Sequence, residues 1–233
     1  MDDTSTEARQ RAMLPPPLNG RPFASRIAAT TLDDIQGGVM RSVYRGVPFQ
    51  KSPFDIALYL QLLSTLKPAT VIEIGARFGG SALWFADMLT AQGIEGARVL
   101  AVDTHPEVGF TDPRITLMVG DANDLGAVLG EDLLAACKRP FLVVEDSSHF
   151  HRETTSVLEF FHDRLAPGDY IVVEDGVLAQ FSNPFYERYE SGPNRGVSDF
   201  LARHPGAYAL DDALCDFYGF NATYNPNGWL RRL

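Results

Sequence analysis

Cysteine is scarce, two in 233 residues, Cys137 and Cys215, and they form no C-x-x-C pair. This excludes a disulfide-stapled scaffold and a thiolate zinc site, and it fits a reducing, cytoplasmic setting. Positive charge is also short, with 20 Lys and Arg against 30 Asp and Glu and a net charge of -10. Nothing in that balance points to a nucleic-acid or anionic-membrane partner, and neither is expected. No uninterrupted apolar run approaches a membrane span. The polar opening Met1 to Gln10 has no apolar signal core, and no internal repeat is visible. What is present is 45% hydrophobic content, enough to fill one core of a single domain.

The most informative stretch is Val71-Ile72-Glu73-Ile74-Gly75-Ala76-Arg77-Phe78-Gly79-Gly80-Ser81. An apolar run reads as a buried strand, stops at glycines, and gives way to a helical pattern. Strand, glycine turn and helix form the first unit of a nucleotide-binding α/β fold. The three-residue gap between Gly75 and Gly79 is not the G-x-G-x-x-G of dinucleotide binders, which speaks against a nicotinamide oxidoreductase. Glu73, two residues before the first glycine, would repel a pyrophosphate. It suits a cationic ligand such as the amino group and sulfonium of S-adenosylmethionine; an ordinary βα turn with a partly exposed Glu is the other reading. Gly75, Gly79 and Ser81 complete this candidate cradle.

Before this unit, residues 1–30 read as a flexible N-terminal arm, broken by Pro15-Pro16-Pro17 and Asn19-Gly20. Residues 31–233 read as one α/β domain. Ser52-Pro53-Phe54-Asp55 starts a helix, with Ser52 as cap and proline at the first position, and Pro68 ends it. Val43 to Phe49 reads as an extended segment or a lid. After the cradle, strands are expected at 98–102, 115–119, 141–144 and 170–173, a helix near 151–165 and another near 195–203. Late strands near 207–211 and 217–224 complete a mostly parallel sheet of seven strands with helices on both faces. The aromatic segment 177–195 reads as a substrate-facing loop or short helix, or as a subunit contact.

Asp103 ends the second strand, 23 residues past Gly80, where an acid meets ribose hydroxyls in such folds; a helix-capping role is the alternative. Asp121-Ala122, after the third strand, either meets an adenine amino group or makes a plain turn. The fourth and fifth strands end in Glu145-Asp146 and Glu174-Asp175. Neighbouring carboxylates repel or take up protons unless a cation joins them, and an all-oxygen site suits Mg²⁺ first, then Ca²⁺ or Mn²⁺; helix capping is the competing reading. His149, three residues after Asp146, is a candidate base for a substrate hydroxyl, with metal ligation or a structural hydrogen bond as alternatives. His151 and His162 read as surface residues.

Val47 to Asp55, the Glu73 to Ser81 turn, Glu145 to His149, Val173 to Asp175 and Thr223 to Arg232 together resemble the cephalosporin hydroxylase family. That family is similar to class I S-adenosylmethionine-dependent methyltransferases and includes rhamnosyl O-methyltransferases. The resemblance runs from about residue 41 to the C-terminus. It implies a Rossmann-like class I methyltransferase fold and a Mg²⁺ site at Asp146, Glu174 and Asp175. Asp146-x-x-His149 resembles the Asp-x-x-Lys of metal-dependent catechol-type enzymes, which implies His149 as base. Lys51 either reaches the donor's carboxylate or is simply exposed. The expected activity is O-methylation of a sugar or polyhydroxylated natural product by a cytoplasmic homo-oligomer. The alternative is a donor-binding component of a hydroxylating complex.

Overall fold

The computed structural model describes residues 12–233. In chain order the described elements are α1 (Ala29–Val39), β1 (Val43–Tyr44), β2 (Val47–Pro48), α2 (Pro53–Leu66), β3 (Thr70–Ile74), α3 (Gly80–Ala91), β4 (Arg98–Asp103), β5 (Ile115–Val119), α4 (Glu131–Ala136), β6 (Phe141–Glu145), α5 (His151–His162), β7 (Tyr170–Val173), α6 (Gly192–Arg203), β8 (Tyr208–Leu210), α7 (Asp212–Cys215) and β9 (Trp229–Arg232). Single 3-10 turns occupy Leu125–Ala127, Gly176–Gln180 and Pro184–Tyr189.

Seven strands form one sheet in the order β5-β4-β3-β6-β7-β9-β8. The first five pair in parallel and β9 pairs antiparallel with both β7 and β8. Strands covered on both faces read as continuous apolar runs, and β3, β6 and β7 are buried at every position. Successive side chains point to opposite faces, and the two cores divide accordingly. Ile72, Ile74, Val143 and Ile171 meet Val157 and Phe161 of α5. Val71, Leu142, Val144 and Val172 meet Leu62 of α2 and Trp84, Phe85 and Leu89 of α3. Burying side chains of this size contributes roughly 1.5–3 kcal/mol each.

The Ser-Pro start of α2 behaves as its chemistry predicts: the Ser52 hydroxyl accepts from the Asp55 amide at 3.1 Å and proline occupies the first turn. Val43 to Pro48 is a two-stranded hairpin. Two expectations need correction. The part of the supposed arm that is described, residues 12–30, is laid against the domain; Arg21 bonds Asp216, Asn221 and Asn227, and Phe23 is fully buried in the core. Residues 1–11 lie outside the described residues. Residues 217–224 are not a strand. Asn221 and Thr223 within this stretch, and Asn225 and Asn227 just after it, are buried and spend their side chains on hydrogen bonds, which compete with ladder formation. The last strand is instead β9.

His162 is half-buried rather than on the surface, its ring lying 3.8 Å from that of His204; His151 is half-exposed and bonds Asp199 at 2.8 Å. Neither cysteine is paired. Among the described residues no helix is long and apolar enough to cross a membrane.

Candidate active site

The strand order reverses direction between β3 and β6, and the carboxyl ends of the strands open there into a cavity of about 640 Å³. Such a switch point is where open α/β sheets bind ligands. Gly75, Arg77, Asp103, Asp121 and Ala122 line one side of it; Asp146, His149 and Asp175 line another, with Phe185, Tyr186 and Tyr189 beyond them. α1 adds Gln36, Val39 and Met40.

Glycine is required at two points of the first turn. Gly75 has φ +101°, and a Cβ there would lie 1.9 Å from the Asp146 carbonyl oxygen. A Cβ on Gly80 would lie 2.0 Å from the Pro48 carbonyl oxygen. The bare backbone lets β6 and the hairpin close on the turn. Gly79 and Ser81 stand at the start of α3, and Ser81 borders a recess of about 40 Å³ beside Gly75 and Lys51.

Asp103 sits at the cleft as expected. Its oxygens accept from the backbone amides of Arg77 at 2.8 Å and His105 at 2.7 Å, which fixes the carboxylate while leaving lone pairs for a further donor. Asp121 accepts from the Asn123 amide at 2.8 Å, a bond that holds its carboxyl below the usual range. The buried Ala122 lies beside it.

Sheet register brings the two Glu-Asp pairs together. Glu145 pairs with Val173, and the Glu174 amide donates to the Glu145 carbonyl at 2.9 Å. Alternation then splits each pair. Asp146 and Asp175 reach the cleft, whereas Glu145 turns inward onto Ser147 at 2.8 Å and Thr154 at 3.2 Å, where burial pushes its carboxyl up to about 8. Asp146, His149 and Asp175 each offer a ligand atom within 4.8 Å of the others. His149 Nε2 is 3.6 Å from Asp175 Oδ2 and its Nδ1 is 4.0 Å from Asp146 Oδ1. His149 and Asp175 both hold positive φ, 63° and 58°, a conformation that costs free energy and clusters at functional positions. Asn225 accepts from the Asp175 amide at 3.0 Å, and the His149 ring packs edge-on against Tyr189 at 5.5 Å.

Three expected site residues are placed differently. Lys51 is neither exposed nor free for a donor carboxylate: its ammonium lies 2.6 Å from Asp146 Oδ2, 2.7 Å from Glu174 Oε2 and 3.7 Å from Glu73 Oε1. Burial pulls its pKa down, but these carboxylates outweigh that and hold it well above the ordinary lysine value. Glu174, expected beside Asp175 as a ligand, has both oxygens engaged, by Lys51 and by the Tyr59 hydroxyl at 2.6 Å. Burial, opposed by Lys51, pushes its carboxyl above the usual carboxylate range. Glu73 is fully buried behind Lys51 and does not line the main cleft; its carboxylate faces the Lys51 ammonium and the Ser81 side chain. Converging carboxylates do need a cation, as charge repulsion requires, and part of that need is met by Lys51 from the loop before α2. Tyr59 and Asn225 carry no motif in the sequence that assigns them to the site, whereas Tyr189 belongs to the aromatic segment 177–195 read as substrate-facing.

The residues present fit both groups that such a fold implies. Two carboxylates and an imidazole converge on one point, a donor set suited to a hard divalent ion with one nitrogen neighbour. The glycine turn, the fixed Asp103 carboxylate and the cavity volume suit a nucleoside-bearing donor.

The sheet order and the cleft at its switch point are those of a class I methyltransferase. A sequence model of the family described as Rhamnosyl O-methyltransferase/CmcI matches residues 38–233. The rhamnosyl O-methyltransferase of Mycobacterium leprae (strain TN) is 29% identical over 195 residues, 82% of this chain and 83% of that protein. Among solved structures, one described as "CmcI-N160 apo-structure" superposes with a TM-score of 0.63 at 26% identity, over 83% of this chain and 77% of the other. Another, "cmcI-D160 Mg-SAM", does so with a TM-score of 0.61 at the same identity and coverage. The chain belongs to the rhamnosyl O-methyltransferase/CmcI family.

Proposed function

We propose that this S-adenosylmethionine-dependent O-methyltransferase acts on a hydroxyl of a sugar or similar polyhydroxylated acceptor and requires a divalent cation, Mg²⁺ first. The observation that carries this reading is the Asp146–His149–Asp175 group, set between a nucleoside-type wall and an aromatic wall of one cleft. The relatives support it: one is a rhamnosyl O-methyltransferase, and one solved structure is named for Mg and SAM.

Asp103 receives the ribose hydroxyls, Asp121 and Ala122 border the adenine, and the Gly75–Gly79 turn with Ser81 receives the methionine end of the donor. Asp146 and Asp175 hold the cation, with the charge of Glu174 behind them. The sulfonium donor supplies an electrophilic methyl, and the divalent ion supplies Lewis acidity that lowers the pKa of an acceptor hydroxyl and orients it. Transfer of the methyl to that oxygen leaves a proton, and His149 is placed to take it. The Tyr189 ring and the Asp175 carboxylate flank the imidazole. Phe185, Tyr186 and Tyr189 offer faces for the apolar side of an acceptor. Alignment of acceptor oxygen, methyl carbon and sulfur is the main source of rate in such a site.

The test is calorimetric binding of S-adenosylmethionine to wild type and Asp103→Ala, followed by a mass-spectrometric screen of rhamnosides for gain of one methyl group. Donor binding that is lost in the variant, and product that is lost with a chelator or in His149→Ala, fits the proposal. No donor binding refutes it. The expected homo-oligomer is checked by light scattering.

A further inference from the structure

Lys51 is 5% exposed, and its three nearest anionic neighbours come from three different strand ends. Buried carboxylates are costly unless paired, and here one ammonium serves Asp146, Glu174 and Glu73 together. Tyr59 satisfies the second oxygen of Glu174. Asp146 is thereby shared: Oδ2 bonds Lys51 at 2.6 Å, while Oδ1 faces His149 at 4.0 Å, on the side of the Asp146–His149–Asp175 cluster.

We propose that Lys51 is a resident counter-ion that sets the divalent-cation affinity of this site, an inference that rests on the cation-dependent reading above. The lysine has two opposed effects on an ion held by Asp146 and Asp175. It orders the Asp146 carboxylate, which favours the ion. It also draws charge from that same carboxylate and stands as a fixed positive charge beside a divalent one. Repulsion between charges that share one ligand in a partly buried site outweighs the ordering of a single short side chain. The net effect is weaker ion binding, in exchange for a fold whose clustered carboxylates are compensated without the ion. Lys51 acts through Asp146 and Glu174 and is a positioning residue.

The experiment uses the full chain as wild type, Lys51→Met and Lys51→Arg. Thermal unfolding is followed across a MgCl₂ titration, and Mg²⁺ binding is measured by calorimetry. Lys51→Met is expected to melt well below wild type without MgCl₂ and to regain most of the loss as MgCl₂ rises, by linkage. Its apparent Kd for Mg²⁺ falls about tenfold or more, as expected when a like charge beside the ion is removed. Lys51→Arg keeps the charge and follows wild type. Mg²⁺ affinity in Lys51→Met that is equal to or weaker than wild type overturns the inference and leaves an ordinary structural lysine. So does a Met variant that stays unfolded in MgCl₂ while the Arg variant folds. Absence of any Mg²⁺ response in every protein overturns the cation-dependent reading, and this inference with it.

Discussion

Gly75→Ala offers the most direct test of how the fold builds the site. Gly75 directly follows β3 at φ +101°, and its missing side chain is the space that the Asp146 backbone fills. An added Cβ meets the Asp146 carbonyl oxygen at 1.9 Å and its carbon at 2.5 Å, so the two strand ends must separate. A left-handed conformation costs an L-residue roughly 1–2 kcal/mol. Separation also breaks the bond from the Asp146 amide to the Ile74 carbonyl, 2.9 Å long and worth about 1 kcal/mol, and it loosens the packing of both strand ends. The expected total is about 3–5 kcal/mol, in the range reserved for backbone strain and disrupted cores. Equilibrium urea unfolding read by the fluorescence of Trp84 and Trp229, both buried, measures it. The internal control is Gly38→Ala within α1, where nothing lies within 4 Å of the added carbon; helix propensity makes it stabilising by about 0.5–1 kcal/mol. Because Asp146 moves, product formation should vanish in Gly75→Ala even at temperatures where it stays folded. A loss of stability under about 1 kcal/mol would refute the reasoning, since so small a value leaves no room for the clash.

Three further outcomes are expected. Asp175→Asn keeps a side chain that tolerates positive φ and should fold like wild type, yet bind Mg²⁺ about tenfold or more weakly for want of a charged ligand; calorimetry decides, and unchanged affinity removes Asp175 from the ion site. Phe185 is 49% exposed, so Phe185→Ala should leave the unfolding free energy within about 0.5 kcal/mol while raising KM for the acceptor several-fold, and unchanged steady-state kinetics would take this ring out of the acceptor wall. Burial, against hydrogen bonds from Ser52 and Thr223, pushes the Asp55 carboxyl up from an ordinary value of 3.8 to about 7. The folded chain then holds a proton that the unfolded chain has released, so this contribution to stability is full below the ordinary value and is lost as pH rises to about 7. Asp55→Asn should flatten that part of the pH profile of urea midpoints, and an unchanged slope would place the proton elsewhere.

Local sequence determined a great deal. The run from Val71 to Ser81 specifies strand, turn and helix because its apolar period, its glycines and the following helical spacing all agree, and each signal lies within a few residues of the next. The strand-ending acids Asp103, Asp146 and Asp175 were legible for the same reason: in a parallel sheet every strand end lies at one edge, so position along the chain gives position in the cleft. The reading failed where partners are far apart in sequence. Thr223 falls in the expected strand 217–224, whereas its hydroxyl bonds Asp55, 168 residues away. Lys51 meets Asp146 and Glu174 across 95 and 123 residues, and a lysine read alone defaults to solvent because burial costs its charge. Glu73 and Glu174 were legible as acids at strand ends, but the side to which each one turns depends on pleat phase and on what covers it. The sequence by itself settled which strands end in carboxylates. Only the tertiary structure decided which of those carboxylates are paired with a buried ammonium and which are left facing the cleft, because charge compensation in a core is a property of neighbours in space.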